Sequence, residues 1–324
     1  MPATPTLMVV VDTEEEFDWG APFSRDATAV TAMRHVDRIQ TLCERAGLTP
    51  TYMIDYPVAT QPGGYETLAG WARDGRCRIG AHMHPWVTPP FDEDVTGPNS
   101  FMRNLPPALQ HAKMRELYHA IVANTGVQPH TFKAGRYGIS DAAIDAFEEL
   151  GLAVDVSVNP CMNFSREGGP DFSEFDSTPF WIDRARHVLE VPCTQGYVGW
   201  ARRHGQHAWA AAESARRVAA PGILIRLGAL NRVMLSPEGN SLSEMVALTR
   251  ALLADGVTLF SLTLHSPSVV PGHTPYVKSE AELSSFLDVI ERYFEFFFGE
   301  LGGTSSTPER FRQSLLGKGD SVAA

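Results

Sequence analysis

The sequence predicts an α/β fold in one domain, built on a parallel sheet that is either open or closed into a barrel. Three observations predict it. Short β-branched or apolar runs alternate with helical spacing along most of the chain. Two helix starts carry capping boxes, Ser241-Leu242-Ser243-Glu244 and Ser279-Glu280-Ala281-Glu282. Reactive residue types recur just after the predicted strands, the end at which barrel enzymes place their sites.

In order, Val9-Val10-Val11 reads as a buried strand and runs into five carboxylates between Asp12 and Asp18. Alternation puts Asp12 and Glu14 on one side and Thr13 and Glu15 on the other. Carboxylates at that density repel unless a metal ion or a basic partner sits among them. A helix is expected over Ala27–Ala46, a strand over Thr51–Ile54, a helix over Tyr65–Arg73 and a strand over Cys77–His82. A helix from Pro107 to Asn124, a strand Thr131–Ala134, a helix Ser140–Leu150 and a strand Ala153–Ser157 follow. Val188–Val191 and Ile223–Leu227 read as strands, with a helix over His207–Ala219 between them. The helix opened by Ser241 ends at Gly256, and Val257–Leu264 is a long strand. The last helix has Leu283, Phe286, Leu287, Ile290, Tyr293, Phe294 and Phe297 on one face, a core stripe. The domain is expected over residues 1–301, with a loose polar tail over 302–324.

The chain has 324 residues, 44% of them hydrophobic, enough for a full core. A formal net charge of −11 argues against nucleic acid and an anionic membrane surface as partners. A neutral sugar or amide remains open. Cys43, Cys77, Cys161 and Cys193 are scattered without a CxxC pair, which fits reduced thiols rather than a disulfide frame or cysteine zinc site. The apolar run Leu7–Val11 is too short for a signal peptide or a membrane span, so a cytoplasmic location is expected.

The strand ends supply the chemistry. Asp12 and Glu14 follow the first strand, His82 and His84 the third, Arg136 the fourth, and His265 the last; Asp155 and Ser157 end the fifth. His82 and His84, two apart, point the same way on an extended chain. Two imidazoles and a carboxylate make a three-ligand catalytic metal set with an open position. Imidazole suits zinc, iron, cobalt or nickel. Two long loops, Pro85–Pro106 and Asn159–Asp183, leave from the same end, where long loops shape substrate.

This ordered set resembles the metal-dependent polysaccharide deacetylases of the NodB-homology group, carbohydrate esterase family four. Five short motifs carry the resemblance: Val11-Asp12-Thr13-Glu14, Gly80-Ala81-His82-Met83-His84-Pro85-Trp86, Phe132-Lys133-Ala134-Gly135-Arg136-Tyr137, Asp155-Val156-Ser157 and Leu264-His265-Ser266. Together they span most of the chain. The family has adjacent aspartates in its first motif and histidines four apart in its second. The Asp-x-Glu and His-x-His patterns here are similar to a branch associated with surface polysaccharides.

The resemblance implies a distorted parallel (β/α)7-type barrel and a divalent metal, zinc foremost, with cobalt, nickel or manganese as alternatives. Asp12 would be the base and Glu14 a ligand with His82 and His84; the reverse assignment of the two acids stays open. Arg136 would orient Asp12, and His265 would be the acid. Asp155 would hold His265 in its tautomer or pair with Arg136. Trp86, Tyr137 and His273 are expected to line the substrate pocket. The implied reaction is removal of acetyl groups from an N- or O-acetylated sugar or polysaccharide. A small-molecule amidohydrolase on the same scaffold is the alternative within this chemistry, and a non-catalytic carbohydrate-binding relative the alternative outside it. Two-carboxylate glycoside hydrolysis is disfavoured, because it has no need of the three histidines.

Overall fold

The computed structural model describes residues 4–185, 187–214 and 220–319. Its strands are β1 Thr6–Thr13, β2 Thr51–Ile54, β3 Arg78–Met83, β4 Thr131–Ala134, β5 Val154–Asp155, β6 Phe180–Trp181, β7 Leu189–Glu190, β8 Gln195–Val198, β9 Asn231–Met234, β10 Leu259–His265 and β11 Thr304–Ser305. The main sheet runs β10-β1-β2-β3-β4-β5-β7-β6, with β11 also beside β1. Every neighbour pair from β10 to β7 is parallel, seven strands in all, and β6 adds an antiparallel edge. The sheet curls as expected into a distorted half-barrel. Between β7 and β10 the wall is carried by single bonds to the β8–β9 hairpin and its flanks. Ser261 N–H donates to Thr194 Oγ1 at 2.7 Å, and Thr263 N–H donates to the Leu235 carbonyl at 3.1 Å.

The period of two explains the two apolar layers. Leu7, Val9 and Val11 face the helices with Tyr52, Ile54, Ile79 and Phe132; Met8 and Val10 face the concave side with Met53, Val154, Val156 and Leu189. Each large aliphatic side chain so buried contributes about 1.5–3 kcal/mol, and β1, buried along nearly its whole length, is the sheet's anchor. The same parity sends Asp12 to the concave face. It lies in register with His265, because β10 is the direct neighbour of β1.

Four local expectations change. Ile223–Leu227 is not a strand: a helix spans Ala220–Arg226, with Ile223, Ile225 and Leu227 exposed. A short apolar run does not fix its own period. The true strand, β9, was hidden because only Val233 of its four residues is buried. The helix expected over His207–Ala219 spans Gly205–Ser214; its last part, 215–219, lies outside the described residues. The helix expected from Ala27 starts later, as a 3-10 turn Thr31–His35 leading into Asp37–Arg45, because Ala29 bridges back to Glu16. Beyond Gly302, where a loose tail was expected, β11 pairs with β1 and a helix spans Pro308–Gly319. Its Phe311 and Leu315 pack on the concave apolar cluster, which gives that polar segment its anchor.

The loop after β3 is pinned from below. Lys113 Nζ, fully buried, donates to the carbonyls of Pro85, Thr88 and Pro90 at 2.9, 2.6 and 2.7 Å and pairs with Glu93 at 3.0 Å. A buried ammonium is tolerable only with its donors satisfied in this way. No helix among the described residues is long and apolar enough to cross a membrane.

Candidate active site and metal centre

The C-terminal ends of β1, β3, β4 and β10 converge on one cluster. Glu14 Oε2 lies 3.3 Å from His82 Nε2 and 3.4 Å from His84 Nε2, and all three residues are buried. Burial pushes both imidazoles down, that of His82 well below its usual range, with the neighbouring His84 adding to the effect there. They are therefore neutral, with lone pairs free for a cation. Burial raises the Glu14 carboxyl to about 8, against the partial relief of His265 and His84. Its Oε1 and the Nδ1 of His82 have no hydrogen-bond partner. A buried carboxyl group with an orphaned oxygen beside two neutral imidazoles is a donor set that fits a divalent ion, whose binding would displace the carboxyl proton.

A second layer fixes His84. Its Nδ1 lies 2.8 Å from Glu15 Oε2, which leaves Nε2 facing Glu14. Glu15 Oε1 accepts the Trp86 indole N–H at 2.8 Å, and Glu15 N–H donates to Asp55 Oδ2 at 2.6 Å. Asp55 also caps the helix Tyr56–Thr60 through Val58 N–H at 2.8 Å. Carboxylate–imidazole pairs of this kind set the tautomer of metal-binding histidines. The imidazole of His84 stacks on Trp86 at 4.3 Å, and Trp86 in turn stacks on Phe23 at 4.3 Å. Gly135 packs against the other side: a Cβ there would lie 2.3 Å from His84 Nε2 and 2.1 Å from Cδ2. Gly135→Ala should therefore lower divalent-metal affinity about 10–100-fold, the usual cost of disturbing a ligand's support. Calorimetric titration of zinc into both proteins measures it, and an unchanged affinity would show that the ring can move aside freely.

Asp12 and His265 form the second half. Lys133 Nζ donates to both Asp12 oxygens, at 2.7 and 2.6 Å. Burial works against the Lys133 ammonium, but the Asp12 charge outweighs it and raises the group. His265 Nε2 lies 3.7 Å from Asp12 Oδ2, while His265 Nδ1 lies 2.6 Å from Glu238 Oε2. Glu238 Oε1 also accepts His265 N–H, at 3.0 Å, and the Ser268 hydroxyl. Burial pulls the imidazole down, but Glu238, Glu14 and Asp12 together carry it up to about 10. With Nδ1 engaged by Glu238, Nε2 is the nitrogen that faces Asp12.

Five of the expected residues thus share one place: Asp12, Glu14, His82, His84 and His265. Arg136 does not reach Asp12. It lies beyond the end of β4, donates to Ser100 Oγ at 3.0 Å, pairs with Glu167, and stacks over Phe101 at 4.2 Å and Phe23 at 5.3 Å. It ties together three loops, and Lys133 stands where an arginine was expected. Asp155 reaches neither His265 nor Arg136. Val154 takes the concave side, so Asp155 points outward, accepts the Ser157 hydroxyl at 2.5 Å, and lies in register with Glu190. Burial raises Asp155 to about 6 and Glu190 well above its usual range.

The three expected pocket residues divide. Trp86 is 2% exposed and sits under the ligands rather than at a surface. Tyr137, at φ 63°, stacks on Phe164 at 5.4 Å and lies 5.9 Å below the Lys133 ammonium. His273 is on the rim, 3.3 Å from Glu16.

Four residues of the site went unassigned in the sequence: Lys133, Glu15, Asp55 and Glu238. Each had a signal. Lys133 is a charge inside an apolar strand, Asp55 directly follows β2, Glu15 directly follows Glu14 in the acidic run, and Glu238 follows the strand that was misplaced.

No family model matches the chain, and no curated protein sequence does. Solved structures do. A protein described as a polysaccharide deacetylase from Mycobacterium smegmatis superposes with a TM-score of 0.53 at 12% identity, covering 98% of this chain and 95% of that one. The two chains share a fold. A family 4 carbohydrate esterase from Streptomyces lividans, in complex with acetate, gives 0.44 at 12% identity over 94% and 93% of the two chains. A CE4 family pseudoenzyme from Bacillus anthracis gives 0.44 at 9% identity, over 96% of this chain and 66% of that one. At 12% identity the likeness to the Mycobacterium smegmatis protein is one of fold alone.

Proposed function

We propose that the chain is a metal-dependent deacetylase that hydrolyses the acetamide, or the acetyl ester, of a sugar. The observation that carries this reading is the convergence, in one cluster, of a three-donor metal set, a carboxylate held by an ammonium, and an imidazole held by a second carboxylate. Glu14, His82 and His84 would hold a divalent ion, zinc foremost. Such an ion supplies Lewis acidity toward the acyl oxygen and lowers the pKa of water. Asp12 takes the proton from the attacking water. Lys133 keeps the Asp12 carboxylate oriented through two charge-assisted bonds. His265 gives the proton of Nε2 to the leaving nitrogen, and Glu238 on Nδ1 fixes that tautomer and orientation. Asp12 and His265 are adjacent across the β1–β10 ladder, so base and acid flank one scissile bond.

An amide nitrogen leaves poorly unless protonated, whereas an activated ester needs little help. His265→Ala should therefore lower kcat on an acetamidosugar by ~10²–10⁴-fold and on p-nitrophenyl acetate by far less. The metal content should not change. Equal losses on both substrates would remove the general-acid role. Release of a ring-opened acid from a cyclic amide, with no acetate from any acetylated sugar, would favour the amidohydrolase alternative instead.

A further inference from the structure

The net charge of −11 is unevenly spread along the chain. The loop joining β8 to β9, residues 199–230, holds Arg202, Arg203, Arg216, Arg217 and Arg226, two histidines and a single glutamate. Its local charge is therefore opposite in sign to that of the whole protein. Arg216 and Arg217 lie outside the described residues; Arg203 and Arg226 are exposed. The same loop concentrates the apolar surface. Four of the nine large apolar side chains exposed among the described residues belong to it: Trp200 at 80%, Leu227 at 68%, Ile223 at 50% and Ile225 at 43%.

These side chains are not a core left open, because the loop has a packed side of its own. Trp209 and Leu230 are buried there, and the Arg232 guanidinium covers the Trp209 ring at 5.1 Å. On the open side, Trp200 stands beside the end of the helix Ala220–Arg226. Its N–H donates to the Gly228 carbonyl at 3.4 Å, and Ala201 N–H donates to the Ala229 carbonyl at 2.9 Å. Ile223 and Leu227 are four apart and joined by a helical bond of 3.0 Å, so they share one side of that helix.

The loop is remote from the metal donors. Arg202 pairs with Asp255, just ahead of β10, whereas His265 closes that strand seven residues along. Such a strand is roughly 20 Å long, about two Debye lengths at physiological salt. The carboxylates of the site therefore do not oppose an anion at the loop. Guanidinium forks match phosphate oxygens. Tryptophan and aliphatic tips set among arginines suit the boundary between headgroups and acyl chains. A second copy fits less well, because a two-fold contact would set the arginines of one loop against those of the other. A nucleic acid fits less well, because Ile223, Ile225 and Leu227 offer no ring on which a base could stack.

We propose that the loop 199–230 is a docking surface for an anionic bilayer, lying among the headgroups and not crossing the membrane, with Trp200 and Leu227 inserted and Arg203 and Arg226 on the phosphates. Docking at this end leaves the metal donors, at the other end of β10, clear of the bilayer. The proposal uses no residue of the deacetylase reading and stands or falls apart from it.

Co-sedimentation of the full chain with vesicles of phosphatidylcholine, alone or with about 30% phosphatidylserine, tests it. The variants are Arg203→Glu with Arg226→Glu, and Trp200→Ser with Leu227→Ser, all at exposed positions, with melting temperatures measured alongside. The wild type should bind the phosphatidylserine vesicles at least about tenfold more tightly than the neutral ones, and should lose most of that gain between about 0.1 and 0.5 M salt. Each double variant should weaken binding at least about tenfold. The lipid and salt comparisons use the wild type alone, so they decide even where a variant fails to fold. Binding to neither vesicle, equal binding to both, or undiminished binding by either folded variant would overturn the proposal. A wild-type dimer in sedimentation equilibrium that Trp200→Ser with Leu227→Ser dissociates would assign the face to a second copy and overturn it. Tighter binding to duplex DNA than to the vesicles, lost on charge reversal, would overturn it as well.

Discussion

Lys133→Met is expected to lower kcat by roughly 10²–10³-fold, as loss of a well-positioned base does, and to destabilise the fold by about 3–5 kcal/mol. Lys133 is 1% exposed and its ammonium contacts both Asp12 oxygens, so removing it leaves a buried carboxylate without a counter-charge. The stability loss should be partly recovered when Asp12→Asn is added, because the double variant buries no lone charge. Activity should stay low in all three variants, since each lacks the base or its partner. Urea denaturation and turnover measured on the same samples separate the two effects. A Lys133→Met protein with normal turnover would move the base away from Asp12.

Glu238→Gln is expected to move the alkaline limb of the kcat profile to lower pH. Burial opposes the His265 charge, and Glu238 is the largest of the groups that overcome it. Glu14 and Asp12 remain in the variant, so the shift stops short of the full distance. The linkage has a definite sign. The folded value lies above the unfolded one, so the His265–Glu238 pair stabilises fully below about pH 6.5 and loses that contribution as pH rises through about 10. The melting temperatures of wild type and variant should therefore differ at pH 6 and converge above pH 10. Rate profiles on an acetamide substrate from pH 6 to 10.5, with the same metal in both proteins, give the kinetic half. Superposable profiles would mean that Glu238 does not govern the acid.

The clustering of Glu14, His82 and His84 was legible in the sequence because it obeys local rules. Strand parity put Asp12 and Glu14 together, and the spacing of His82 and His84 put both imidazoles on one side. The place of His265, the proposed acid, was legible because it closes a long apolar strand. What could not be read were partners fixed by the third dimension. Arg136 and Lys133 are three residues apart; Lys133 lies within β4 and reaches Asp12, whereas Arg136 lies beyond the strand's end. Asp155 was misplaced for the same reason, its strand presenting Val154 and Val156 inward instead. Glu238 follows a strand whose side chains are mostly half-buried, so no apolar alternation announced it. Trp86 was taken for a pocket wall because an aromatic residue two positions after a ligand histidine does not reveal which of its faces is covered.

The central claim is that Glu14, His82 and His84 hold the ion on which acetate release depends. Elemental analysis and acetate release on the same samples of wild type, His82→Ala and His84→Ala, each dialysed against zinc, test it together. About one zinc per wild-type chain with acetate released from N-acetylglucosamine oligomers, and loss of both in the two variants, is the predicted result. Full zinc occupancy in both variants, or a zinc-loaded wild type that releases no acetate, would contradict it.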